Sequence, residues 1–111
     1  MKTTLSFIAV MILSIISINP VHAGNSWCDS KGGNEYARCY KSAIDTNMTY
    51  INGWYNKVMN VPGIDQAKVT ADQRDWEQRL RSSCKTYECY YNSSNGRAVY
   101  LAQVYAQVTK K

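Results

Sequence analysis

Gln73-Arg74-Asp75-Trp76, followed eight residues after the Trp by Cys84, decides how this chain is read. Trp76 belongs to the series Val69, Gln73, Trp76, Leu80 and Cys84, whose steps of three and four lay one stripe along a helix. A large indole on such a stripe packs into a core. The polar Gln73 falls on the same stripe, and a buried amide needs a hydrogen-bond partner. It is therefore read as a buried, bonded residue rather than a ligand contact. Thr70-Ala71-Asp72-Gln73 has the spacing of a capping box but lies within the helix rather than at its start.

Two further periodic runs flank this helix. Upstream, Tyr36, Tyr40, Ile44, Met48, Ile51, Tyr55 and Val58 share one face, with Asn34 as N-cap and an end near Asn60, because Pro62-Gly63 follows. Downstream, Tyr90 or Tyr91, Ser94, Ala98, Leu101, Tyr105 and Val108 form a third run. Asn92 to Gly96 is a poor helical stretch, so this helix is expected to bend there or begin late. Lys85 to Glu88 is the connection, and no run carries a strand signal. Three helices with short links predict an all-α, disulfide-stapled three-helix up-down-up bundle.

That arrangement brings Cys28, Cys39, Cys84 and Cys89 to one pole, leaving the pole at Val61-Pro62-Gly63 without a staple. The preferred pairing is Cys28 with Cys84 and Cys39 with Cys89. The local pairing, Cys28 with Cys39 and Cys84 with Cys89, stays open, since four cysteines allow three connectivities. A zinc site is disfavoured, because Cys28 and Cys39 have ten residues between them and zinc ligands come in close pairs.

Residues 1–23 read as a secretory signal peptide: Lys2, an apolar run from Leu5 to Ile18, Pro20, and a cleavage site after Val21-His22-Ala23. The apolar run is too short to span a bilayer. The mature chain would be residues 24–111, one domain small enough to need its cystines. It would carry twelve Lys and Arg against eight Asp and Glu, a net +4. Its only histidine, His22, would be gone. That excludes Cys-His and Ser-His-Asp nucleophilic sites and His-ligated metal, and no cofactor or metal is expected. Scattered carboxylates on solvated helix faces argue against a hydrolase. Basic residues interleaved with acids argue against nucleic acid. All mature aromatics are Tyr or Trp, nine and three, rings suited both to core margins and to contact surfaces.

The chain resembles the lysozyme inhibitor LprI-like family of small exported bacterial proteins. Glu35 stands four residues before Cys39. Ile51-Asn52-Gly53-Trp54-Tyr55 is similar to the family's Leu-Asn-x-x-Tyr, carried here by Asn52 and Tyr55. Gln73-Arg74-Asp75-Trp76 is similar to its Gln-Arg-x-Trp, with Gln73, Arg74 and Trp76. Cys84, Cys89, Arg97 and Leu101 are similar to its closing Cys…Cys…Arg…Leu. The family's Arg four residues after the Trp is Leu80 here, flanked by Arg79 and Arg81, and Asp45 is not at the family's usual distance.

The resemblance implies a helical, disulfide-bonded periplasmic or secreted protein that binds a lysozyme or another peptidoglycan-degrading enzyme, with no membrane association after cleavage. Asp72, Asp75, Arg79 and Arg81 on the middle helix are the candidate partner-binding residues, since Arg and neighbouring Tyr are frequent anchors. A protein of net positive charge would be repelled at long range by basic animal lysozymes, although Asp72, Asp75 and Glu77 could form a local negative patch on the middle helix. An acidic bacterial effector is an equally physical target. The alternative is an envelope module that binds cell-wall glycan or anionic polymer.

Overall fold

A computed structural model describes residues 25–110. The signal-peptide reading of residues 1–23 lies outside them. Among the described residues there are four helices and no strand: α1 (Ser26–Asp29), α2 (Gly33–Met59), α3 (Gln66–Ser83) and α4 (Tyr87–Val108). None is long and apolar enough to cross a membrane.

Each helix starts where the local chemistry offers an acceptor for orphan N–H groups. The Asn25 side chain accepts from the amides of Trp27 and Cys28, which adds a short turn, α1, ahead of the three predicted helices. Asp65 caps α3 through the Lys68 amide, four residues ahead of the first periodic residue Val69. Thr86 caps α4 through the Cys89 amide. The expected Asn34 cap is not used: α2 begins at Gly33, with Gly32 extended before it and no side-chain cap. Gly33 has φ +55°, a conformation that favours glycine, and this lets α2 fold back sharply on α1. The turn after α2 uses Pro62 and then Gly63 at φ +83°, closed by the Ile64 amide donating to Val61.

α4 is one uninterrupted helix, against the expected bend or late start. Tertiary contacts outweigh the weak propensity of Asn92 to Gly96. Ser94 is almost fully buried, donates to the Tyr91 carbonyl at 3.1 Å and accepts from the Asn47 amide at 3.1 Å. The Thr86 cap and the Cys84–Cys89 bond fix the first turn.

α2 and α4 lie close along their lengths, and their paired residues rise together. Tyr36 donates to Glu88, Asn47 meets Ser94, and Trp54 packs on Tyr105 with ring centroids 5.6 Å apart. α3 stands further off and is reached by long side chains. Its pairings run the other way: Tyr55 with Thr70, then Gln73 with Arg97, then Cys84 with Ser93. The core joins Ile51, Trp76 and Leu101, one residue from each long helix, with Met48, Tyr55 and Leu80 against them. Tyr40 and Val58 are completely buried, so the predicted stripe of α2 faces inward.

The disulfides correct the preferred pairing. Cys28 is bonded to Cys39 and Cys84 to Cys89, each with Cα atoms 5.3 Å apart. The reason is the placement of the short turns: α1 folds back on the start of α2, and Cys84, the C-cap of α3, sits beside the first turn of α4. The bonds therefore tie α1 to α2 and α3 to α4. Between the two corners the contact is aromatic. Tyr40 stacks on Tyr87 with centroids 5.9 Å apart, and Tyr36 and Tyr91 meet Tyr40 edge-on. Loops this short place each bond at about 2–3 kcal/mol in the chain-entropy picture. Non-reducing peptide mapping is expected to recover only Cys28–Cys39 and Cys84–Cys89. Any peptide joining Cys28 or Cys39 to Cys84 or Cys89 would contradict this arrangement.

Candidate functional site

The residues singled out in the sequence divide into an interior group and a surface group. The interior group is centred on Arg97, only 7% exposed. Its Nε donates to Gln73 Oε1 at 2.9 Å, and its terminal nitrogen donates to Asp72 Oδ2 at 2.7 Å. The guanidinium carbon lies 4.7 Å from the Tyr100 ring centroid and 5.5 Å from that of Trp76. A buried charge is tolerated only when it is neutralised and hydrogen-bonded. Here α3 supplies both needs, with Asp72 for the charge and Gln73 for a neutral bond. The aromatic faces supply cation–π attraction. Gln73 is buried and bonded as its place on the stripe predicted, and the partner its carbonyl oxygen accepts from is Arg97.

Four residues of the family-like pattern, Gln73, Trp76, Arg97 and Leu101, thus meet in one place. Tyr55 lies nearby, half-buried, with its hydroxyl 3.1 Å from Thr70 Oγ1. Arg74, Asn52 and Glu35 are exposed and outside this group.

The proposed partner-binding residues are not equivalent. Asp72 is held by Arg97, with 45% of its side chain still exposed. Asp75 and Arg79 pair with each other along the surface of α3, one turn apart, and both are exposed. Arg81 is exposed near the end of α3. Neither Arg79 nor Arg81 reaches the core, and the half-buried Leu80 between them packs there instead. Among the described residues, no group of His, Cys, Asp and Glu is arranged to hold a metal ion.

At the disulfide pole, phenols are perturbed. Glu88 accepts from the Tyr36 hydroxyl at 2.7 Å and holds its pKa up at about 12, with burial and the charge of Glu88 adding. Burial pushes the Tyr40 phenol up, and its donation to Asp29 at 2.6 Å does the same, against the Asn25 amide that donates to it. Burial also raises Tyr100, with Asp72 adding and Arg97 opposing.

Sequence reasoning missed three features: the tyrosine cluster, the Asn47–Ser94 bond, and an open depression of about 450 Å³ beside Trp27 and the Cys28–Cys39 bond. The signal for the last was Trp27 itself, a large aromatic in a Gly/Ser/Asn-rich lead-in and on no apolar stripe. Comparison with known protein families, curated proteins and solved structures found no match.

Trp76→Ala is expected to cost about 3–5 kcal/mol of stability, as for other large-to-small core changes. Asp72→Ala should cost less, about 1–2 kcal/mol, because water can reach its half-open side of the ion pair. Denaturant unfolding checks both, and wild-type stability of Trp76→Ala would refute its packing role. Raised phenol pKa values make a second prediction. Tyr36 keeps its proton in the fold after the unfolded chain would lose it. Its contribution is therefore complete below pH 10, the ordinary value, and declines as pH rises to about 12. Tyrosinate absorbance should show at least one late-titrating phenol that Tyr36→Phe removes.

Proposed function

We propose that this chain is an exported binding protein of the lysozyme inhibitor LprI-like type. On this reading an up-down-up three-helix bundle blocks a lysozyme or another peptidoglycan-degrading enzyme by steric occlusion. The observation that carries the reading is the convergence of Gln73, Trp76, Arg97 and Leu101 on a single interior contact. Four of the residues on which the resemblance rests join α3 to the rest of the fold, which supports a packing role for that part of the pattern. The opposed senses in which α3 and α4 pair support the bundle topology. Two cystines and the lack of a membrane-length apolar helix among the described residues are compatible with a periplasmic or secreted site of action.

Fixed from behind by Trp76 and Gln73, α3 offers the opposite face to a partner. Asp75 and Arg79 are exposed on one flank of that surface, and Arg74 and Arg81 on the other. Asp72 belongs less to this surface than its charge suggested, because Arg97 holds it. Mixed charges on a rigid helix set register and exclude wrong partners more than they add raw affinity. The positive net charge favours an acidic hydrolase as target.

Purified exported protein at near-stoichiometric ratio is expected to slow cell-wall lysis by at least one enzyme in a panel of animal, phage and bacterial hydrolases. Arg79→Glu combined with Arg81→Glu should weaken that inhibition about tenfold or more. The melting temperature should stay unchanged, since both side chains are exposed. No inhibition across the panel would overturn the reading.

A further inference from the structure

Trp27 is 68% exposed, more than any other large hydrophobic side chain among the described residues. The fold gives no reason for this. Trp76 is buried and Trp54 is half-buried against Tyr105, whereas Trp27 joins neither the core nor the tyrosine cluster. An exposed indole offers a flat apolar face with a polar N–H at its edge, a combination suited to contact. The ring remains accessible even with the Lys31 ammonium 4.1 Å from its centroid.

Its mounting is rigid. Cys28, next in the chain, is completely buried and bonded to Cys39. The Asn25 side chain caps the Trp27 and Cys28 amides, and the Tyr40 phenol binds both the Asn25 amide and Asp29. The backbone that carries the ring is thus fixed, so binding has only the side-chain torsions of Trp27 left to order.

Trp27 lines an open depression of about 450 Å³ together with Lys31, Glu35, Arg38 and Ser42. The side chains of Glu35 and Arg38 are exposed, and neither has an ion-pair or hydrogen-bond partner among the described residues. The site therefore combines a flat apolar face, a guanidinium fork, an ammonium and a carboxylate acceptor. An acidic peptide would use the cations but brings no flat C–H face to the indole. A neutral glycan would use the indole but leave the cations idle. A sugar bearing an acid group uses all of them, because the Arg fork matches a carboxylate and Glu35 accepts from hydroxyl or amide groups.

We propose that this depression binds a carboxylate-bearing saccharide, with one sugar face on Trp27, its acid group on Arg38 and Lys31, and its donors on Glu35. This site lies on the α1–α2 corner and does not rest on the inhibitory reading, which concerns α3.

The test titrates the purified exported protein with two soluble disaccharides of equal length. One ends in N-acetylmuramic acid with a free carboxylate, and the other ends in N-acetylglucosamine without one. The acidic disaccharide is expected to shift the Trp27 indole N–H resonance and to bind about tenfold tighter than the neutral one. Trp27→Ala should abolish the response, Trp27→Tyr should retain part of it, and Arg38→Gln should erase the preference for the acid. Unchanged melting temperatures show that these surface variants are folded. No response to either sugar at about millimolar concentration, at the weak limit of useful affinity, overturns the proposal. So does binding that survives Trp27→Ala, or an equal response to poly-glutamate, which would reduce the effect to charge alone. Sugar binding without enzyme inhibition, or the reverse, separates this site from the α3 surface.

Discussion

A guanidinium taken out of water must find a counter-charge and fill its donors, and Arg97 finds both on a different helix. The placement of α3 depends on that requirement. α3 makes few close backbone approaches to the other long helices, so its position is set by side chains long enough to cross the gap. Trp76 and Leu80 supply apolar contact, which is strong but not directional. Asp72 and Gln73 supply direction, since two hydrogen bonds from one planar group fix both the rotation of α3 and its height along α4. Hydrophobic burial gathers the three helices, and the Arg97 contact selects one register among those that burial alone would allow.

Much of this was legible in the sequence. The steps of three and four around Tyr40, Ile51, Val58, Trp76 and Leu101 identified the helices and their inward faces. A polar residue on an apolar stripe identified Gln73 as a buried hydrogen-bonding group. Other parts were not legible, for separable physical reasons. Asp72 lies four residues before Trp76, a spacing that puts it beside the buried face, but a carboxylate is normally read as solvated and its partner is 25 residues away. Asn92 to Gly96 argued for a bend, because local propensity does not know that Ser94 will be satisfied by Asn47 on another helix. Arg97 was named only through a family-like spacing. Its burial could not be read from the sequence, since a lone Arg near small polar residues ordinarily faces water.

The disulfide pole shows how convergence can mislead. Four cysteines at one end of a bundle suggest bonds that cross between its corners. Here the crossing is made by Tyr36, Tyr40, Tyr87 and Tyr91, through stacked and edge-on rings and the Tyr36–Glu88 hydrogen bond. Aromatic pairs add modest energy beyond their burial, but four of them in contact fill the volume that cystines would have spanned. Each cystine is left to shape one turn.

That local pairing bears on how the chain acquires its bonds. First cysteine joins second, and third joins fourth, in the order in which a chain emerges when its N-terminus leads. An oxidant that couples each new thiol to the last free one produces the native set directly, with no later reshuffling. The crossed set would have required the first thiol to wait, reduced, until Cys84 arrived. Thiol exchange takes seconds to hours. A chain whose bonds are correct at first formation can close its two corners while α3 and α4 are still assembling. The long-range steps left to folding are then the packing of α2 along α4 and the docking of α3 side chains onto Arg97.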